Sequence, residues 1–223
     1  MPEDASLFAA VDGYLTQTLI APDPALESAL QSHVAAGLPP INVTPTLGKF
    51  LHLQARAIRA ERILEIGTLG GYSTIWMARA LPPSGRVVTL EYDPKHAEVA
   101  RKNFQRADLA TQIEVIVGAA LDTLPKLAAQ NPAPFDLIFI DADKKSNPHY
   151  FQWALKLARP GSLIIVDNVV RDGAVINANS DDPDIRGIRQ FLTELASNPR
   201  VCATALQTID GKGHDGFSIA LVL

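Results

Sequence analysis

Short apolar runs alternate with longer helical patterns along most of this chain, and this alternation restricts the fold more than any other feature. The runs are residues 62–66, 86–91, 112–117, 135–140 and 163–167. Each run is about one strand long, and each gap has room for a crossover helix. The helical patterns in those gaps are residues 71–81, 94–107, 120–130 and 147–158. The alternation predicts a parallel sheet that is covered by helices on both faces.

Both ends of the chain add to this core. Two further runs, 201–206 and 217–222, are separated by a turn-rich segment that is too short for a helix, which predicts an antiparallel pair. Residues 3–20, residues 24–36 and a segment opened by Thr44 and Pro45 have helical patterns ahead of the first strand. We therefore expect a single α/β domain over residues 1–223, made of an N-terminal helical cover (1–60) and a Rossmann-like core (61–223). Its sheet should have seven strands and be mostly parallel, with an antiparallel C-terminal strand.

Composition and charge exclude several classes of partner. The chain has 20 basic and 24 acidic side chains, a formal net charge of -4, and no basic cluster, so we expect no nucleic-acid partner. Its N-terminus lacks a basic region, and no apolar run approaches the ~20 residues of a bilayer span. We expect no membrane partner and a cytoplasmic location. The one cysteine, Cys202, lies in an apolar run and is expected to be a buried thiol.

Residues after the first two strands predict an adenosine ligand, because ligands in open α/β sheets bind at the carboxyl ends of the strands. Gly67, Gly70 and Gly71 follow the first strand, where glycines allow a tight turn beside a ligand. Glu91 ends the second strand and is placed to accept hydrogen bonds from both hydroxyls of an adenosine ribose. The spacing G-x-x-G-G departs from the G-x-G-x-x-G of dinucleotide-binding proteins, and Glu65 suits the amino-acid head of S-adenosylmethionine (SAM). The pattern favours SAM over NAD.

Oxygen-bearing side chains follow the fourth and fifth runs. Asp141 comes directly after one apolar run, and Asp167 and Asn168 end the next. If these two strands are neighbours, three hard oxygen ligands converge at one edge of the sheet. Magnesium fits that set best, with manganese or calcium as alternatives. The competing interpretation is that these polar residues cap helices or begin turns.

Taken together, these residues resemble the cation-dependent O-methyltransferase family that includes caffeoyl-CoA O-methyltransferases, catechol O-methyltransferases and many bacterial relatives. The resemblance covers nearly the whole chain and implies a class I methyltransferase fold. The segments that carry it are residues 65–73, Glu91, 118–120, 139–144 and 167–168.

The resemblance also implies roles for individual residues. Metal ligands of the family match Asp141, Asp167 and Asn168, and the lysine that helps to deprotonate the substrate hydroxyl matches Lys144, so Lys144 and Asp141 are the expected catalytic residues. The positions that match the SAM-binding residues are Val43, Glu65, Gly67, Thr68, Ser73, Glu91, Ala119 and Asp141.

Metal-dependent methyl transfer from SAM to a hydroxyl of a small vicinal-diol phenol is therefore the expected function. The chain has Arg171, Asp172 and Gly173 where plant members carry Trp-Asn-Gly, which favours a catechol-, caffeoyl- or flavonoid-like phenol over an acyl-CoA ester. Members of the family are usually homodimers, which we expect here as well. Two alternatives stay open from the sequence, an NAD-dependent oxidoreductase on a similar sheet and a non-catalytic adenosine-binding protein.

Overall fold

The computed structural model describes residues 2–130 and 133–223 of the chain. The strands in these ranges are β1 Arg62–Ile66, β2 Arg86–Glu91, β3 Ile113–Val117, β4 Phe135–Ile140, β5 Ala158–Asp167, β6 Val201–Asp210 and β7 Gly213–Val222. The α-helices in these ranges are α1 Pro2–Leu19, α2 Pro24–Ala35, α3 Pro45–Ala57, α4 Tyr72–Ala78, α5 Pro94–Arg106, α6 Ala120–Ala129, α7 Asn147–Leu157 and α8 Pro183–Ser197. Short 3-10 helices lie at Lys144–Ser146 and Ala174–Ile176.

The seven strands form one sheet in the order β3-β2-β1-β4-β5-β7-β6. Strands β1 to β5 pair in parallel, and β7 is antiparallel to both of its neighbours. This confirms the predicted seven-stranded, mostly parallel sheet. Because the chain moves outward from β1 to β3 and then returns to place β4 on the other side of β1, a crevice opens at the carboxyl ends of β1 and β4.

The central strands are mostly apolar because both faces of the sheet are covered. Leu64 belongs to one buried cluster, which includes Phe151 of α7 and Phe191 of α8. Its neighbour Ile63 points to the other face and belongs to a second cluster with Trp76 of α4. Successive residues of a strand therefore enter different cores, which explains why these strands read as continuous apolar runs.

The C-terminal hairpin differs from its prediction in length. Both strands extend into the segment that we expected to be a connecting loop, and Asp210 of β6 pairs with Gly213 of β7. The turn between them is only Gly211 and Lys212, and the Asp210 side chain accepts the Lys212 backbone N–H at 2.7 Å. Glycine and polar residues favour loops, but antiparallel pairing satisfies the hydrogen-bonding groups of their backbone as well as those of apolar residues.

The prediction of a buried Cys202 is wrong. The cysteine is exposed, and so are its neighbours in β6 from residue 202 to residue 207. Strand β6 lies at the edge of the sheet, outside β7. An edge strand can be rich in Ala, Val and Leu without being covered, because hydrophobic composition does not report which strands the helices reach.

The N-terminal cover forms as expected. The Asp23 side chain accepts the backbone N–H groups of Ala25 and Leu26 at the start of α2, and Thr44 caps α3 by accepting the Leu47 N–H. Among the described residues, no helix combines the length and apolar character needed to cross a membrane.

Candidate active site

A cavity of about 810 Å³ opens at the carboxyl ends of β1, β2 and β4. Its wall combines the turn after β1, the ends of the other two strands, and residues 41–43 of the N-terminal cover. The cavity and the residues around it form a site with two halves. We call residues 67–71, Glu91 and residues 118–121 the cofactor half of this site, and Asp141, Lys144, Asp167 and Asn168 its metal half.

The glycine turn of the cofactor half is shaped by close packing. Gly67 has a positive φ of 101°, and a Cβ atom there would lie 2.1 Å from the carbonyl oxygen of Asp141. A side chain at this position would therefore push the end of β1 away from the end of β4. Gly71, with a φ of 84°, has the ring of Phe104 at 2.3 Å from its would-be Cβ and precedes α4. The two glycines let the strand tip, the turn and the helix meet at the cavity.

Glu91 is fixed by the backbone around it. One of its oxygens, Oε2, accepts the backbone N–H groups of Thr68 at 3.1 Å and Leu69 at 2.7 Å. The other, Oε1, accepts the N–H of Asp93 at 2.9 Å and lies 3.5 Å from Nδ1 of His96. The residue is buried yet lines the cavity. The carboxylate is thus oriented before any ligand arrives, as a ribose-binding group needs to be.

Glu65 is held in a different way. It is fully buried, does not line the cavity, and accepts hydrogen bonds from the hydroxyls of Ser73 at 2.5 Å, Thr74 at 2.5 Å and Thr89 at 2.6 Å. Burial raises its pKa to about 7 despite these three bonds. We expected Glu65 to contact the cofactor, but the structure places it behind the cavity wall with Ser73 in between.

The metal half lies where β4 and β5 end side by side. Ile140 pairs with Val166, so Asp141 and Asp167 are the next positions on adjacent parallel strands. Burial and the neighbouring Asp141 carboxylate together raise the pKa of Asp167 to about 7. Asn168 follows in the left-handed region, with a φ of 57°. The predicted convergence of these strand ends is therefore present in the fold.

Lys144 is the only cation that bonds a carboxylate of the metal half among the described residues. Its Nζ donates to Asp141 Oδ1 at 2.7 Å, and its side chain is 7% exposed. Asp167 is 6% exposed, and its carboxylate accepts the backbone N–H of Asn168 at 2.9 Å. One ammonium group, bonded to Asp141, thus faces two carboxylates, which leaves negative charge in a largely buried site.

A hard divalent cation suits this set of donors. No group of three His, Cys, Asp or Glu side chains in the described ranges is arranged for a metal, so Asn168 would have to supply the third oxygen beside Asp141 and Asp167. Carboxylate and carboxamide oxygens are the ligands that magnesium, manganese and calcium prefer. The residues therefore fit such an ion, and it would neutralise the repulsion between the two carboxylates.

Nine of the predicted site residues line the cavity. They are Val43, Gly67, Thr68, Ser73, Glu91, Ala119, Asp141, Lys144 and Asn168. Glu65 and Asp167 lie behind its wall.

Tyr150, His33 and His96 line the cavity but are not among the site residues predicted from the sequence. Tyr150 faces the cavity and donates its hydroxyl to Asp143 at 2.5 Å, whereas Trp153 does not line the cavity and packs against the core. His33 and His96 also line it, although single histidines without a motif carry no signal in the sequence. Lys212, at the β6–β7 turn, donates to the carbonyl oxygen of Asn42 and so joins the hairpin to the cover.

Comparison with known proteins gives concordant matches. Residues 21–213 match the family described as O-methyltransferase. A catechol O-methyltransferase of Mycobacterium tuberculosis is 58% identical over 212 residues, 95% of this chain and 94% of the relative. A catechol O-methyltransferase of Niastella koreensis is 52% identical over 216 residues, 97% and 98% of the two chains. The solved structure of an O-methyltransferase from Bacillus cereus in complex with SAH superposes with a TM-score of 0.97 at 55% identity, covering 98% of this chain and 100% of that one.

Proposed function

This chain belongs to the O-methyltransferase family and is a SAM-dependent O-methyltransferase, and from that premise we propose that it methylates one hydroxyl of a small vicinal-diol phenol with the help of a divalent cation. The observation that carries the proposal is the pair of carboxylates at the ends of β4 and β5, next to the cavity, of which only Asp141 is bonded to a lysine. Family membership also decides between the open alternatives, against an oxidoreductase and against a non-catalytic binder.

The proposed acceptor follows from the number of protein ligands. Asp141, Asp167 and Asn168 would hold the ion, with magnesium as the first choice and manganese or calcium as alternatives. Three protein oxygens leave room for two adjacent oxygens of a catechol-, caffeoyl- or flavonoid-like ring. Two relatives above 50% identity are catechol O-methyltransferases, which supports this class of acceptor.

In the cofactor half, we propose that Glu91 binds the ribose hydroxyls and that Ala119 lies against the adenine. Val43, Gly67, Thr68, Ser73 and Asp141 would surround the methionine part. Glu65 would act through Ser73, because its oxygens already accept three hydroxyl groups. These positions surround a single cavity that is large enough for a nucleoside and a small phenol.

SAM supplies an electrophilic methyl group, and a bound divalent cation supplies a Lewis acid that lowers the pKa of a hydroxyl. The chain's own residues position these groups. Lys144, held against Asp141, would accept the proton that the acceptor hydroxyl loses once its own amine is neutral, and would become an ammonium group in that step. Tyr150 and Asp143 form a fixed polar pair on the same side of the cavity. Alignment of acceptor oxygen, methyl and sulfur by these walls should supply most of the rate.

The test is methyl transfer from labelled SAM to a panel of phenols with and without a vicinal diol, in magnesium or in EDTA. We expect transfer only to vicinal diols and only with the ion. Asp141→Ala should lower the rate on the order of 1,000-fold, whereas Asp122→Ala, at an exposed carboxylate of α6, should not change it. EDTA-insensitive transfer by Asp141→Ala would rule out the metal role.

We also propose a cytoplasmic homodimer. Helix α1 leaves Leu7, Val11, Tyr14 and Leu19 more than 45% exposed, and an apolar row of this kind suits contact with a second copy. Light scattering of the purified protein would give its mass in solution, and a monomeric mass at micromolar concentration would contradict the proposal.

A further inference from the structure

His33 is a buried histidine whose ring lies near the Gly70 backbone and the Asn42 side chain but makes no well-formed hydrogen bond with the described residues. Its residue exposure is 3%, and neither Nδ1 nor Nε2 has a hydrogen-bond partner within residues 2–130 and 133–223. Trp76 and Asn147 also have unpartnered buried side-chain atoms, but of the three only His33 lines the cavity. An unsatisfied buried polar group destabilises the folded chain, so a ligand that pairs with the ring would recover that cost.

The ring lies on the glycine turn of the cofactor half. A Cβ atom on Gly70 would come 1.7 Å from Nε2 of His33, so only glycine allows the ring to approach this closely. Asn103 holds the turn in place from α5 by donating its Nδ2 to the Gly70 carbonyl oxygen at 2.9 Å. The imidazole is therefore set against a fixed backbone and faces the cavity rather than solvent.

The surroundings of the ring set its charge state. Burial lowers the pKa of His33 more than the nearby backbone of Gly70 and side chain of Asn42 raise it, and His96 and Lys212 lower it further. A neutral imidazole still carries one N–H donor, whichever nitrogen holds the proton. His33 therefore offers an N–H donor to the cavity and carries no charge there.

Three other donors near the turn are already engaged. The backbone N–H groups of Thr68 and Leu69 bond to Glu91, and the Ser73 hydroxyl donates its proton to Glu65. SAM has one anionic group, the carboxylate of its methionine part, and this group requires hydrogen-bond donors. In this part of the cavity, His33 is a donor that these bonds leave free.

We propose that His33 donates a ring N–H to the methionine carboxylate of SAM. The carboxylate would then lie between the cover segment at Asn42 and Val43 and the glycine turn, with His33 closing that end of the cavity. This makes α2, and not only the residue 41–43 segment, part of the cofactor site. It also assigns a partner to His33, the one buried imidazole at the cavity that lacks a well-formed hydrogen bond among the described residues.

Calorimetry with three ligands tests the assignment without turnover. SAH has the amino-acid carboxylate and amine, S-adenosyl-3-thiopropylamine has only the amine, and 5′-methylthioadenosine has neither. His33→Phe keeps a flat ring but removes the donor, so it should weaken SAH about tenfold and leave the other two affinities unchanged. His33→Gln, which restores an N–H donor, should recover at least half of that loss on a logarithmic scale.

Two controls separate a binding role from a folding role. His52 is a partly buried histidine of α3 that bonds the Trp76 carbonyl oxygen and does not line the cavity, so His52→Phe should not alter the relative affinities of the three ligands. Thermal unfolding without ligand verifies that His33→Phe is folded. An unchanged SAH affinity, an equal loss for all three ligands, or a loss shared by SAH and the thiopropylamine would each overturn the proposal. If His33→Phe does not fold, the same three-ligand comparison on His33→Gln and His33→Leu decides.

Discussion

The two halves of the site differ in how completely the protein satisfies their carboxylates. In the cofactor half, Glu91 receives three backbone N–H groups and is held in one orientation. In the metal half, Asp141 and Asp167 lie at adjacent strand ends, and one ammonium group, that of Lys144, bonds to Asp141. The first arrangement is complete within the protein, whereas the second has more negative charge than the protein balances.

This difference indicates what each half is prepared to bind. A carboxylate held by backbone amides keeps one orientation, and it can accept hydrogen bonds from ribose hydroxyls without rearranging. The buried carboxylate of Asp167 and the partly buried one of Asp141 repel one another and raise the free energy of the folded chain until a cation or a proton joins them. Removing a charge should therefore lower the free energy of unfolding in the cofactor half and raise it in the metal half. The following variants test that contrast.

Asp167→Asn should show the largest functional effect. Loss of one of the two carboxylates should lower methyl transfer to a catechol on the order of 1,000-fold. The affinity for SAH should stay within about threefold, since Asp167 does not line the cavity. At pH 8 the metal-free variant should also unfold at a higher temperature than the parent protein. The asparagine carries no buried negative charge, so the desolvation and the repulsion from Asp141 that raise the pKa of Asp167 no longer act. A variant that is both less stable and fully active would break the contrast.

Glu91→Gln should act on the cofactor half alone. Replacing the carboxylate with a carboxamide leaves one oxygen for the turn but weakens charge-assisted bonds to the ribose, so SAH and 5′-methylthioadenosine should both bind about 10- to 100-fold more weakly. Unlike Asp167→Asn, this variant should lower the free energy of unfolding. Calorimetry and chemical denaturation measure the two effects, and an unchanged nucleoside affinity would remove Glu91 from the ribose site.

Glu65→Gln should change how stability depends on pH. The pKa of Glu65 is about 7 in the folded chain and 4.5 as an unperturbed group. The folded state therefore binds the proton more tightly, and its stability falls as the pH rises from about 4.5 to about 7, then levels off. The variant cannot lose this proton, so its free energy of unfolding relative to the parent should rise by roughly 1–3 kcal/mol across that interval. Equal pH dependence of the two proteins would show that Glu65 is ionised throughout.

The sequence predicts the sheet better than it predicts the site. Strands β1, β2 and β4 begin and end at the expected residues, because strands buried on both faces are apolar at most positions. The same signal fails for β6, an edge strand whose Cys202 is exposed. Apolar character alone does not distinguish a covered strand from an uncovered one.

In the site, residues at strand ends were predictable and those from other elements were not. Asp141 and Asp167 follow apolar runs, so the parallel topology itself brings them together. Whether Glu65 reaches the cavity depends on three hydroxyl side chains from separate elements, which no local pattern reveals. His33 reaches the cavity from α2, and Lys212 of the C-terminal hairpin reaches the cover segment at Asn42, both through tertiary packing. Their roles become visible only when the fold is known.

The most direct test of the metal half is a crystal of the protein grown with SAH and soaked with manganese, whose anomalous scattering locates the ion. Our account predicts one strong peak within coordination distance of Asp141, Asp167 and Asn168, beside the nucleoside. An ion bound elsewhere, or no peak at these residues at millimolar manganese, would contradict it.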